Sequence, residues 1–363
     1  MVKIRINNSD IEVPEDITVL QAAELTGVKI PTLCHKEGLP HYTSCFVCIV
    51  KDNFSGRYIP SCSALVQDGM DIDTAGEEVV RMRKHAIELL LSEHRAECEA
   101  PCRIVCPAGL NIPLMNRIIA SGDFGRATEL FKSELTAAGT ICETCPGYCE
   151  NACRRKKIDS PVSIRNLQLY ISKQVNNEAL INNENSSENS HKPDIASRKN
   201  LMKQRFSSRI GKIEPAELKE WMKECEGQGI RCTEINSPED AVNESMNCMH
   251  CDCRAADNCR LRDLADEYRV KDPRGKIIST PLEKKINKQT GLIFEHSKCI
   301  KCGLCVRVCG DNRDDQALCF INRGFLTVLS EPLTEEFDST LKTMSDKCIE
   351  ICPTGALSRY REK

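Results

Sequence analysis

Residues 34–62 read CHKEGLPHYTSCFVCIVKDNFSGRYIPSC, placing cysteines at Cys34, Cys45, Cys48 and Cys62 with ten, two and thirteen residues between them. Four thiolates on two irons are what a 2Fe-2S centre needs, here from a loop that wraps the cluster and one distant residue closing it from the other side. The plant-type spacing of four and then two residues is not matched.

Upstream of this stretch, Val2, Ile4 and Ile6 alternate as in a strand, Pro14-Glu15-Asp16 reads as a turn, and a helix is expected from Thr18 to near Gly27. Its flanks, IPTLCHKEGL, SCFVCIVK and PSCSALVQDGMDIDT, closely resemble the 2Fe-2S domain that opens the large iron-sulfur subunit of respiratory complex I and of NAD-linked hydrogenases. The resemblance covers about residues 1–95 and implies a ubiquitin-like ferredoxin fold. Beyond it, Val79, Val80, Met82, Ala86, Leu89, Leu90 and Leu91 suit a helix over Glu77–Glu97 that links two cluster domains.

The whole chain has 363 residues, enough for two or three domains, with a net charge of -3 that argues against a nucleic-acid binder. Aromatics make up only 4% of it, leaving few platforms on which bases could stack. No run approaches the roughly 18 apolar residues of a membrane span, and MVKIRI lacks the apolar core of a signal peptide, so a cytoplasmic protein is expected. In that reducing compartment 24 cysteines must be explained without disulfides, and clustered thiols there read as metal sites. Structural zinc ribbons are the alternative, although they do not account for the longer spacings.

The next cysteines lie in CEAPCRIVCPAGLNIP and CPGYCENACRRKKIDSPVSIRNLQ, with a turn at Gly122-Asp123 between Pro113–Ser121 and a helix near Gly125–Leu135. This block, about residues 94–170, resembles the double-cubane domain of the glutamate synthase small subunit and of dihydropyrimidine dehydrogenase. Carried over residue by residue, the resemblance implies one 4Fe-4S cluster on Cys98, Cys102 and Cys153, with His94 where relatives supply a first cysteine. The alternative for His94 is a solvent-facing residue at a helix end. The second cluster falls on Cys106, Cys145, Cys149 and Gln168, and Cys142 is an extra thiol able to displace Gln168. The basic run Arg154-Arg155-Lys156-Lys157 either stabilises a reduced cluster, attracts an acidic partner, or is a solvated turn.

A third group, Cys248, Cys251, Cys253 and Cys259, fits one 4Fe-4S cluster or one zinc, and the redox neighbours favour the cluster. The fourth, in HSKCIKCGLCVRVCG and CIEICPTGAL, resembles a bacterial-type ferredoxin module, which implies a cubane on Cys299, Cys302, Cys305 and Cys352. Cys309 and Cys348 are left over, since a second cubane lacks ligands; Cys225, Cys232 and Cys319 stand apart from any motif.

The expected fold class is α+β. The domains are a 2Fe-2S ferredoxin-like domain (1–80), a mainly helical double 4Fe-4S domain (81–170), a polar flexible linker (171–205), a helical Cys-rich segment with a capped helix over Glu214–Glu224 (206–270), and a 4Fe-4S ferredoxin-like domain (271–363). No glycine-rich phosphate loop is present, Gly227-Gln228-Gly229 being the nearest approach, so no flavin or NAD(P) site is expected in this chain. No catalytic residue is assigned. The expected cofactors are one 2Fe-2S and three to four 4Fe-4S clusters. The expected function is electron relay in a cytoplasmic oxidoreductase complex, between a flavoprotein subunit that binds NAD(P)H and a ferredoxin or catalytic subunit. An iron-sulfur component of a glutamate synthase-like or electron-bifurcating NAD(P)H:ferredoxin enzyme is a second reading; a zinc-binding scaffold or thiol redox sensor is a third.

Overall fold

The computed structural model describes residues 1–95, 97–134, 142–182, 214–225, 231–270, 282–310, 318–332, 336–339 and 341–360. They form two compact units, both discontinuous in sequence: 1–95 with 258–358, and 96–257 with 359–363. The stretch 96–257 is thus one long excursion of the chain out of the first unit.

The chain begins with strands β1 (Val2–Ile6) and β2 (Ser9–Val13) and helix α1 (Val19–Leu25). Thr18 starts α1 as a capping box: its side chain accepts from the Gln21 amide at 3.2 Å, and the Gln21 side chain accepts from the Thr18 amide at 2.9 Å. Strands β3 (Ile49–Asp52), β4 (Arg57–Pro60) and β5 (Asp71–Asp73) complete a five-stranded sheet of order β2-β1-β5-β3-β4, with β1 and β5 parallel. Ile4, Ile6, Val50 and Ile72 from the sheet pack on Val19, Leu20 and Ala23 of α1.

Helix α2 (Glu77–Glu93) buries Val79, Arg83, Ile87 and Leu91, a stripe at intervals of four. Val80 and Leu89, which the sequence suggests as part of its apolar face, are 41% and 71% exposed. The helix stops short of Glu97 because the next residues pair elsewhere: the Arg95 amide donates to the Ser297 carbonyl at 2.6 Å, and His94 turns extended.

The excursion contains α3 (Pro101–Ile104), α4 (Ile112–Ala120), α5 (Phe124–Glu134), α6 (Tyr148–Asn151), α7 (Ile164–Asn182), α8 (Pro215–Met222) and α9 (Pro238–Ser245). Its core is apolar, with Leu110, Met115, Ile118, Phe131, Leu167 and Ile171 all buried. Helix α7 runs to Asn182, so the first part of the segment expected to be a polar linker is helical, while 183–205 lies outside the described residues, as does Gly227-Gln228-Gly229.

Back in the first unit, α10 (Arg260–Glu267) packs against α2, and the Arg83 guanidinium reaches the Ile49 carbonyl at 3.0 Å and the Tyr268 hydroxyl at 3.4 Å. Strands β6 (Lys284–Asn287) and β7 (Leu292–Glu295), helix α11 (Leu304–Cys309), hairpin β8 (Cys319–Ile321) and β9 (Val328–Ser330), helix α12 (Ser345–Ile351) and strand β10 (Leu357–Arg359) follow. The order β10-β7-β6 makes the three-stranded sheet. Among the described residues, no helix is long and apolar enough to cross a membrane.

Candidate metal centres

The hairpin of β3 and β4 brings Cys48, just before β3, beside Cys62, just after β4; the Ser61 amide and hydroxyl both donate to the Cys48 carbonyl, at 3.2 and 2.8 Å. Cys34 and Cys45 come from the preceding loop, where Thr43 and Phe46 take positive φ of 51° and 53°. All four cysteines are at most 4% exposed. Cys34 accepts hydrogen bonds from the thiols of Cys45 and Cys62 and from the amides of Cys45 and Ser44, which holds its thiol far below the usual range. Cys48, bonded to Cys62 and Ser61, is lowered to about 7. Cys45 is pushed up by its bond to Cys34 and by burial. Four mutually bonded, desolvated thiols cannot all ionise unless a polyvalent cation sits among them, so the donor set fits an iron-sulfur cluster. His35 and His41 stack beside it at 5.5 Å, close enough to Cys62 for the three to share an ion.

In the excursion, the later cysteines divide between two sets. Burial pushes Cys142 up to about 11 and Cys149 to about 12, and each is raised further by nearby Cys106 and Cys145. The Cys142 thiol donates to Gln168 Oε1 at 3.2 Å, so thiol and amide compete for one place in the set. Cys102 is raised by burial and then by Cys153, Cys248 and Cys251. The structure therefore groups Cys102 and Cys153 with half of the third sequence group. Asn116, buried on α4, hydrogen-bonds the Cys248 thiol and offsets part of the burial that raises it to about 12.

The other two members of that third group, Cys253 and Cys259, have contacts of their own. The Cys253 amide donates to the Cys98 carbonyl at 3.1 Å, and Cys259 falls in the first unit, its thiol 3.8 Å from the Pro353 carbonyl.

His94 also belongs to the first unit, whereas Cys102 and Cys153 belong to the second. It is buried rather than solvent-facing, and Nδ1 lies 3.0 Å from the Lys298 carbonyl. A carbonyl only accepts, so Nδ1 carries the proton; burial lowers the ring to about 4 and keeps it neutral, leaving a lone pair on Nε2.

The basic run separates into two pairs. Arg154 and Arg155 are buried, while Lys156 and Lys157 are exposed. Arg154 bonds Glu97 at 2.8 Å and lies over the Trp221 ring, and it lowers the Cys251 thiol against the burial that raises it. Arg155 bonds Asp159 at 2.9 Å, the Asn247 carbonyl at 2.7 Å and the Cys225 thiol at 3.4 Å.

In the C-terminal module, Cys299, Cys302, Cys305 and Cys352 line one cavity floored by Phe294 and Leu329. Burial raises Cys299 to about 12, with Cys352 adding to it, and raises Cys302 and Cys305 in the same way. An apolar chamber walled by four thiols fits a cubane, whose low net charge per volume tolerates such surroundings. One residue that sequence reasoning passes over, Arg307, reaches both this set and the first: its Nη2 donates to the Cys34 carbonyl at 2.6 Å and the Cys302 carbonyl at 3.2 Å. Its only sequence signal is a place two residues after Cys305.

Comparison with known proteins finds cluster-binding domains along the chain. Residues 1–77 match the family model for a 2Fe-2S iron-sulfur cluster binding domain, 78–180 that for dihydropyrimidine dehydrogenase domain II with its 4Fe-4S cluster, and 292–358 that for the ferredoxin-like domain of NADH-quinone oxidoreductase subunit 3. The chain is therefore built from 2Fe-2S and 4Fe-4S binding domains in the expected order. Among similar proteins, NADPH-Fe(3+) oxidoreductase subunit alpha of Geobacter sulfurreducens is 30% identical over 45% of this chain and 19% of its own length. The mitochondrial NADH-ubiquinone oxidoreductase 78 kDa subunit of Candida albicans is 29% identical over 42% of this chain and 21% of its own. The matched region thus spans about a fifth of each of these relatives. A crystal structure of an NAD+-reducing NiFe-hydrogenase aligns with a TM-score of 0.48 at 17% identity, covering 99% of this chain and 87% of that one.

Proposed function

We propose that this chain is a multi-cluster electron-relay subunit of a larger cytoplasmic oxidoreductase, joining a separate flavin- and NAD(P)H-binding subunit to a ferredoxin or catalytic subunit. The observation that carries this reading is the gathering of thiols from distant parts of the sequence into compact, buried sets. Its first domain would adopt a ubiquitin-like ferredoxin fold, a reading supported by the five-stranded mixed sheet and its single capped helix.

Bound iron-sulfur clusters supply one-electron chemistry; the protein's work is to hold and tune them. Cys34, Cys45, Cys48 and Cys62 would hold the 2Fe-2S cluster. Three 4Fe-4S sets are Cys106, Cys145 and Cys149 with Cys142 or Gln168; Cys102, Cys153, Cys248 and Cys251; and Cys299, Cys302, Cys305 and Cys352. His94, through Nε2, and the thiols of Cys98, Cys253 and Cys259 are proposed as further iron ligands, which would bring the cubanes to four. Buried Arg154 and Arg155 would favour the reduced, more negative state of the set that contains Cys153 and Cys251.

The names of the relatives, oxidoreductase subunits for NADPH with Fe(3+) and for NADH with ubiquinone, favour a complex fed by a nicotinamide nucleotide. Anaerobic co-purification with iron and acid-labile sulfide assayed together tests the reading. Iron and sulfide in cluster stoichiometry with a co-purifying flavoprotein support it. Zinc without sulfide, or robust NAD(P)H oxidation by the pure flavin-free chain, would overturn it.

A further inference from the structure

The first unit holds two of the proposed sets, and the loops that carry them touch. The Cys34 loop approaches the Cys302 loop closely enough that the Cys34 thiolate acts on the Cys302 thiol. Arg307, half-buried on α11, fills the contact. Besides Cys34 and Cys302, its guanidinium donates to the Pro40 carbonyl and, through Nε, to the Gly303 carbonyl at 3.2 Å. All the acceptors are backbone carbonyls, two of them belonging to cysteines of different sets. Five N–H donors in a planar fork let one side chain satisfy carbonyls from both loops at once, which the point charge of a lysine cannot reproduce.

Aromatic rings close the same contact. Tyr42, from the first loop, lies 5.7 Å from the Arg307 guanidinium and stacks on Phe320 of β8 at 5.7 Å, with the ring planes 5° apart. Gly303, two residues before Cys305, has φ of 69°, and a Cβ there would meet Tyr42 at 3.3 Å and Phe320 at 3.4 Å. The glycine thus serves two needs, a left-handed turn and room for the Tyr42 ring.

We propose that Arg307 is the positioning residue that couples the 2Fe-2S site to the C-terminal 4Fe-4S site, by clamping the Cys34 loop to the Cys302 loop. The inference rests on the iron-sulfur reading above and deepens it. What it couples is one-electron exchange: one ferrous iron on one side becomes ferric as one ferric iron on the other becomes ferrous, with no bond made or broken and no proton moved. Arg307 contributes by fixing the separation and by holding a hydrogen-bonded bridge between ligand backbones.

The test uses the full chain, purified anaerobically, with the variants Arg307→Met and Arg307→Lys. The magnetic interaction between the two reduced centres is read as relaxation enhancement of the 2Fe-2S EPR signal, alongside midpoint potentials and iron content. Expected is loss of the enhancement in both variants with iron retained, while only Arg307→Met lowers the midpoints, since lysine keeps the charge. Enhancement unchanged in both variants would overturn the proposal, and so would loss of iron from both, which would make Arg307 a residue of folding alone. Should only Arg307→Met lose iron, Arg307→Lys decides. A wild-type chain lacking one of the two signals would instead overturn the iron-sulfur assignment itself.

Discussion

The thiols of Cys309 and Cys348 lie 3.5 Å apart in the core of the C-terminal module, where α11 meets α12. Two thiols are too few to hold a cluster, and this pair packs as small apolar groups. Cys309→Ala and Cys348→Ala should therefore keep full iron content and an unchanged EPR spectrum, at a stability cost on the order of 1 kcal/mol from lost packing. Cys305→Ala should lose a whole 4Fe-4S complement. Iron analysis of the three variants checks this; iron loss from Cys309→Ala would point to a second cubane.

Cys45 and Cys48 flank the exposed Phe46 in a loop whose amides point at sulfur, the Cys45 thiol receiving the Val47 amide. Serine at either position should selectively abolish the rhombic 2Fe-2S signal of the reduced protein while leaving the cubane signals. A persisting rhombic signal would show that these thiols do not hold the cluster.

Asn116 offers the Cys248 thiol a hydrogen bond from within the apolar core of the excursion. Hydrogen bonds to ligand sulfur stabilise the more negative reduced state. Asn116→Leu should lower the midpoint of one 4Fe-4S centre with iron content intact, and a redox titration followed by EPR would reveal it. No shift would mean that the bond is lost once iron is bound.

His94 has its proton on Nδ1 against the Lys298 carbonyl, the arrangement that frees Nε2 for a metal and fixes the ring's orientation. His94→Ala should remove one centre, whereas His94→Cys should retain it at a lower midpoint, because thiolate adds negative charge that disfavours reduction. If both variants keep the wild-type iron content and midpoint, the imidazole serves only to end α2.

Arg117 and Asp252 form a buried pair at 2.9 Å. Burial alone would raise the Asp252 carboxyl, but the Arg117 guanidinium more than offsets it and holds the carboxyl at about 2. A folded value below the unfolded one of about 3.9 contributes stability that is fully present above pH 4 and lost as pH falls through 2, about 2 kcal/mol in all. Asp252→Asn, which removes the carboxylate that Arg117 bonds through Nη1, should be less stable than wild type near neutral pH by about 3 kcal/mol. The gap should close below about pH 2, as followed by denaturant midpoints.

Much of this is legible in the amino-acid sequence. Cys34, Cys45, Cys48 and Cys62 are close in sequence and joined by a hairpin, so their spacing already describes a loop around a cluster. Thr18 and Gln21 announce their helix by composition alone. The grouping of Cys102 with Cys248 is not legible, because Cys102 stands on α3 and Cys248 follows α9, and both helices pack on α4 across a long separation that spacing does not encode. The basic run is ambiguous for the same reason: Arg154 and Arg155 are buried by Trp221, Glu97 and Asn247, residues no local pattern ties to them. Arg307 is invisible because its acceptors are backbone carbonyls, available at any residue type.

The excursion has a consequence for biosynthesis. Its two ends meet at the hydrogen bond from the Cys253 amide to the Cys98 carbonyl, so it can close on itself as soon as it is made. The first unit cannot. Its opening sheet can condense early and receive one side of α2, but the other side must wait for α10, and His94 and Arg95 for Ser297 and Lys298. At translation rates of about 5–20 residues per second, the side of α2 that α10 covers waits roughly ten to thirty seconds on the ribosome. The interval is a window in which iron delivered to the Cys34 loop would arrive before Arg307 exists to clamp it.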